Sequence, residues 1–128
     1  MTESPSQKII PGYSPARSAG ELVYVSGALG LDPETGAIPK GSFENEAHQV
    51  MQNLLSNAAA AGATAADLVK TTVYVTTFDI YSDFDRIYRT YFAGQLPARA
   101  TVQVAGLLAD ALVEIEAVAW VDPAAQTF

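Results

Sequence analysis

The chain has 128 residues, near the common size of one domain and enough to bury about two-thirds of the surface that its unfolded form exposes. Fourteen acidic residues against seven basic ones give a formal net charge of −7, the wrong sign for gripping nucleic acid or an anionic membrane. Cysteine is absent, which excludes disulfides, thiol catalysis and thiolate metal sites, and the 49% hydrophobic content suggests a further surface buried by self-association.

The first twenty residues are rich in Pro, Ser and Gly and predict loop, with Lys8-Ile9-Ile10 as a short strand and residues 1–8 as a flexible start to a single domain over 1–128. Met1 to Gln7 have neither the basic nor the apolar region of a secretory signal, and no apolar stretch nears the ~20 residues that span a bilayer. The expected location is therefore cytoplasmic, away from membranes. Glu21 to Gly27 is dense in β-formers and predicts a strand that continues toward Leu31 and is closed by the turn residues Asp32 to Gly36. From Phe43 the period changes. Ala47, Val50, Met51, Leu54, Leu55, Ala58 and Ala61 form one stripe of a helix, with Ser42 as its N-cap and Gly62 as its stop.

After a linker, the β-branched run Leu68 to Thr76 predicts a strand. A second helix follows, carrying Ile80, Phe84, Ile87, Tyr88 and Tyr91 on one face and ending at Gly94. Strands over about Ala100 to Ala105 and Leu112 to Asp122 complete the order β-β-α-β-α-β-β, an α+β domain with two helices on one sheet face. Along the last strand Val113, Ile115, Ala117, Ala119 and Val121 form a wholly apolar face that belongs under the helices. The other face carries Leu112, Glu114, Glu116, Val118 and Trp120, and it needs a different cover. A homo-oligomer with polar pockets near its subunit interfaces follows from that requirement.

Arg99 stands at the head of an otherwise uncharged strand, and a cation there needs a partner. If that strand pairs with the last one, the Arg99 fork and the carboxylates of Glu114 and Glu116 face one small space. A guanidinium fork holds a substrate carboxylate bidentately, and a nearby glutamate orients or deprotonates a water. The competing reading is an ordinary ion pair at a strand end. His48, the one histidine, reads as a helix-surface residue, and no set of imidazoles or thiols suggests a metal. Tyr74, Tyr81, Tyr88 and Tyr91 read as packing rather than as a platform for stacking bases.

Six short segments together resemble the RidA family of enamine/imine deaminases, also called the YjgF/YER057c/UK114 family. They are Pro97-Ala98-Arg99-Ala100-Thr101-Val102-Gln103-Val104, Val113-Glu114-Ile115-Glu116-Ala117, Val25-Ser26-Gly27 with Leu31 to Gly36, and Asn53-Leu54 with Ala61-Gly62. The likeness runs from about Tyr13 to Ala119. It implies a chorismate-mutase-like fold, a mixed sheet with two helices on one face, assembled as a homotrimer with clefts between subunits. It also implies cofactor-free hydrolysis of reactive imines such as 2-iminopropanoate, formed from 2-aminoacrylate, to 2-keto acids and ammonia. Carried over by resemblance, Arg99 binds the substrate carboxylate and Glu114 positions the water, with Glu116 on the same strand face as the alternative. Tyr13 lines the pocket, Ser26 contacts substrate or serves as a turn residue bonded to backbone, and the backbone of Thr101 meets the substrate.

The chain departs from the family at the rim. Thr101 replaces a frequent cysteine, Ala28 a frequent glutamine, Asp85 a frequent asparagine and Leu108 a usual proline, while Pro11-Gly12-Tyr13-Ser14-Pro15-Ala16 alters the usual order. Asp85 reads most simply as a solvated helix residue; within the pocket it would disfavour a second anionic group on the substrate. Other readings are a deaminase for a larger imine or enamine and a chaperone-like trimer that holds a small carboxylate without turning it over. Endoribonuclease activity, associated with some family members, is opposed by the acidic charge.

Overall fold

The strict alternation of the last strand builds the core. A computed structural model describes residues 11–122, and in it Val113, Ile115, Ala117, Ala119 and Val121 are all buried, as their spacing predicts. The strands are β1 (Ala16–Ala19), β2 (Leu22–Leu29), β3 (Leu68–Val75), β4 (Ala98–Gln103) and β5 (Val113–Trp120); the helices are α1 (Phe43–Ala59) and α2 (Tyr81–Arg89). They form one mixed sheet in the order β1-β2-β5-β3-β4, antiparallel except for the parallel pair β3–β4. Both helices lie on one sheet face, because each closes a crossover: α1 between β2 and β3, α2 between β3 and β4.

The core joins Val23 and Val25 of β2 and Val73 and Val75 of β3 to Val50, Met51 and Leu54 of α1 and Phe84, Ile87 and Tyr88 of α2. The opposite sheet face leaves Tyr24, Val102 and Trp120 exposed. Among the described residues no helix is long and apolar enough to cross a membrane.

The expected strand at Lys8 to Ile10 and the flexible start at residues 1–8 lie outside the described residues. Several other expectations need correction: the first strand among the described residues is Ala16–Ala19, within a segment expected to be loop. That edge strand is short and polar, so its pairing with β2 supplies what its own pattern does not signal. α2 stops at Arg89 rather than Gly94: the Thr90 hydroxyl donates back to the Ile87 carbonyl, while Tyr91 and Phe92 pack on the core from outside the helix. Most important, β4 and β5 do not pair. β5 inserts between β2 and β3, where its apolar face meets both neighbours, and β4 takes the edge.

Other local signals hold. Ser42 occupies the α1 N-cap position, although its side chain makes no cap hydrogen bond. Gly62, at φ +83°, ends α1 in a Schellman arrangement: its N–H donates to the Ala59 carbonyl and the Ala63 N–H donates to that of Ala58. Asp32 to Gly36 forms the turn after β2, closed by the Gly36 N–H on the Asp32 carbonyl.

Glu46 ties α1 to the start of β5. Its buried Oε2 accepts from the Leu112 N–H at 2.7 Å and the Val113 N–H at 3.3 Å. Desolvation raises its pKa, and the two backbone bonds offset that only in part. Glu46→Ala should cost about 2–4 kcal/mol in urea melts, since two backbone donors lose their acceptor, and Glu46→Gln should cost less. A raised folded-state pKa adds stability below the unfolded value that is lost as pH rises through the folded one. The stability advantage of wild type over Glu46→Gln should therefore widen as pH falls from neutrality toward 4.5.

Candidate functional site

The β2–β5 ladder breaks its register between Val25 and Ala28, so Ser26-Gly27 forms a bulge. The Ser26 hydroxyl donates to the Ser14 carbonyl and its N–H donates to that of Pro15, which ties the N-terminal segment across the bulge. Ser26 is thus bonded to backbone, the second of its two expected roles. Gly27 leaves room for Glu114: a Cβ there would overlap Oε2 of Glu114 and oblige that carboxylate to move aside. A lone glycine inside a strand is the signal for such a close approach.

Around this bulge lies a cavity of about 260 Å³, lined by Tyr13, Ser26, Gly27, Leu29, Leu108 and Glu114. Three expected site residues, Tyr13, Ser26 and Glu114, meet here. Its wall is fixed from α1, where the buried Asn53 donates to the carbonyls of Leu29 and Leu31, each at 2.8 Å. Its rim at Leu108 belongs to a turn whose next residues, Ala109 and Asp110, have φ of 59° and 54°, a backbone that the sequence does not advertise. A larger cavity of about 390 Å³, between Thr64 and Gln95, has no carboxylate or cation in its lining.

Burial raises the Glu114 pKa, and the neighbouring Glu116 carboxylate raises it further. Glu116 itself is exposed and accepts a hydrogen bond from the Tyr74 hydroxyl at 2.7 Å; chiefly through that bond, the Tyr74 pKa is pushed up to about 12.

Arg99, Thr101 and Asp85 stand elsewhere. In the parallel ladder Arg99 lies beside Thr71, whose fully buried hydroxyl bonds with the Tyr88 hydroxyl of α2, so Arg99 is on the helix-covered face. Thr101, beside Val73, shares that face. Glu114 lies opposite Tyr74 on the other face. Within one chain, therefore, Arg99 and the glutamates do not face one space. The partner of Arg99 is Asp85, at 2.8 Å from Nη1, while Nη2 donates to the Tyr81 hydroxyl at 2.8 Å. Its guanidinium carbon also lies 4.8 Å from the centre of the Tyr88 ring.

Asp85 is thus no solvated helix residue. Tyr81, expected only to pack, supplies a polar contact, and so does Tyr74. Tyr88 packs in the core as expected, and exposed His48 meets the Tyr91 hydroxyl at 2.8 Å. Among the described residues no three metal-ligating side chains cluster.

Fold and site define an α+β protein with a small, half-apolar pocket built around one partly desolvated carboxylate. Residues 4–121 match the family described as Endoribonuclease L-PSP. The chain is 40% identical over 119 residues to the 2-iminobutanoate/2-iminopropanoate deaminase of Rattus norvegicus, spanning 93% of this chain and 87% of that one. It is 37% identical over 120 residues to a RutC family protein of Pyrococcus horikoshii, spanning 94% of each. The crystal structure of RidA from an Antarctic Psychrobacter superposes with a TM-score of 0.82 at 36% identity, over 88% of this chain and 90% of that one. The chain belongs to this family, the RidA family that its motifs resemble.

Glu116→Gln should lower the Glu114 pKa, because it removes the second of two raising causes, yet leave it above the ordinary value of 4.5, because burial remains. An NMR pH titration of the side-chain carboxyl carbons reads this directly.

Proposed function

We propose that this protein hydrolyses small 2-imino acids, such as 2-iminopropanoate, to the 2-keto acid and ammonia, without a cofactor. The reading is carried by the pocket at the β2 bulge, where Glu114 is held half-buried against Gly27 with its pKa raised. The similarity to a protein named as an imine deaminase supports it.

A protonated imine is already electrophilic, so the site has three tasks: hold the carboxylate, place a water and stabilise the tetrahedral intermediate. The Glu114 carboxylate accepts a proton from water as the oxygen bonds to the imine carbon, giving an aminoalcohol. Returning that proton to nitrogen makes ammonia the leaving group; the C–N bond breaks as the hydroxyl gives its proton to the Glu114 carboxylate, and that proton departs with ammonia as ammonium, leaving the keto acid. A raised pKa brings Glu114 closer to the working pH and makes it a better proton acceptor in its ionised form. Arg99 holds the substrate carboxylate through its guanidinium fork.

Arg99 and Glu114 look to opposite faces of one sheet, so a working site joins Arg99 of one copy to the Glu114 pocket of another. A homotrimer with interfacial sites meets that need, and the exposed Tyr24, Val102 and Trp120 give the open face apolar surface to bury. Ribonuclease action is disfavoured: of seven basic residues, Arg86, Arg89 and Arg99 are already paired with carboxylates of the chain.

The test is ammonia and keto-acid release from 2-iminopropanoate generated in situ by an amino-acid oxidase, with semicarbazide competing for the imine. Arg99→Ala should lower kcat/KM by about 10²-fold or more, mainly through KM. Glu114→Gln should lower kcat by about 10²–10⁴-fold. The acid limb of the wild-type rate should lie above pH 4.5 and move down in Glu116→Gln. Equal turnover by wild type and Arg99→Ala would sink the proposal.

A further inference from the structure

The pairing of Arg99 with Asp85 asks more than a deaminase needs. The fork that would receive a substrate carboxylate is already engaged by a carboxylate of the chain itself, at 2.8 Å on Nη1, and by the Tyr81 hydroxyl on Nη2. Side chains of Arg99 and Asp85 are only 19% and 25% exposed, so solvent screens this pair weakly. Asp85 also has a second anchor. Its Oδ2 lies 3.2 Å from Nε of Arg89, one helical turn on, whose side chain is 60% exposed.

We propose that Asp85 is a specificity-determining residue that competes with the ligand carboxylate for Arg99, so that the site selects imino acids with one carboxylate and rejects dicarboxylic ones. The proposal rests on the reading of Arg99 as the carboxylate-binding residue. An arriving monocarboxylate replaces Asp85 at Nη1, and Asp85 keeps its bond to Arg89. The two arginines then balance the two carboxylates, that of Asp85 and that of the ligand. A second carboxylate on the ligand has no cation left to meet. It faces Asp85 instead, in a space where like charges repel more strongly than in water. Asparagine at this position would keep the shape and a hydrogen bond while withdrawing the competing charge.

The experiment measures calorimetric binding of two keto acids, 2-oxobutanoate with one carboxylate and 2-oxoglutarate with two, to wild type and Asp85→Asn. Imine hydrolysis by both proteins is measured alongside, with imines made in situ from alanine and from glutamate. Removing a charged competitor should tighten 2-oxobutanoate about tenfold and 2-oxoglutarate by more, so that the preference for one carboxylate narrows. The kcat/KM values should follow through KM. Asp85→Ser, which also removes the charge, should shift both ligands in the same direction, and thermal melts of both variants report folding.

Unchanged or weaker binding in the variants, with imine hydrolysis intact in wild type, overturns the role of Asp85 and leaves the deaminase reading standing. Tighter binding without imine hydrolysis by either protein supports the role of Asp85 and removes the deaminase reading. Failure of both keto acids to bind either protein overturns the role of Asp85, and overturns the deaminase reading as well only if imine hydrolysis is absent.

Discussion

A strand turns successive side chains to opposite faces, and that constraint, acting on β5 at the centre of the sheet, organises this molecule. Val113, Ile115, Ala117 and Ala119 go under the helices and are buried, so Glu114 and Glu116 must go to the other side. The core and the candidate site are two faces of one strand. A shift of one residue in its pairing would put both carboxylates into the apolar core, where unpaired charges are not tolerated. Stability of the core therefore holds Glu114 in its place.

What makes a pocket of that position is an irregularity in the neighbouring strand. The bulge at Ser26-Gly27 removes a side chain where the Glu114 carboxylate approaches the backbone, and Ser26 ties the N-terminal segment over it. Two polar residues of α1 reach past the core to secure the surroundings: Asn53 at the carbonyls of Leu29 and Leu31, and Glu46 at the first N–H groups of β5. Each buries a polar group with its partners satisfied, so neither costs the fold an orphaned charge or amide. These residues never touch the cavity, yet they hold its walls.

The cation is treated differently. Arg99 sits on an edge strand on the helix-covered face, where a bare guanidinium would be costly, and α2 compensates it with Asp85, Tyr81 and the ring of Tyr88. Its packing is complete within one chain, which is why it needs no glutamate from β5. The arrangement puts the guanidinium and the Glu114 carboxylate on opposite faces of the sheet.

The alternation of β5, the helical stripe of α1 and its glycine stop were legible in the sequence, whereas the grouping of Tyr13, Ser26 and Glu114 was implied only by the family resemblance. Each depends on a period, a turn residue or a motif that local chemistry enforces. The edge strand β1, the early end of α2 and the left-handed turn at Ala109 left no such signal. The partner of Arg99 could not be read either. Strands adjacent in sequence, β4 and β5, invite the assumption that they pair, and Glu114 and Glu116 then stand nearest in the text. The tertiary structure places β5 between β2 and β3 because its apolar face needs neighbours on both sides, while β4, which has no buried residue, takes an edge. Sequence alone determined which face of the last strand is apolar and which carries the carboxylates, through periodicity. Only the packed sheet decided which residues meet, because pairing order depends on how much apolar surface each strand buries and not on how near its residues lie along the chain.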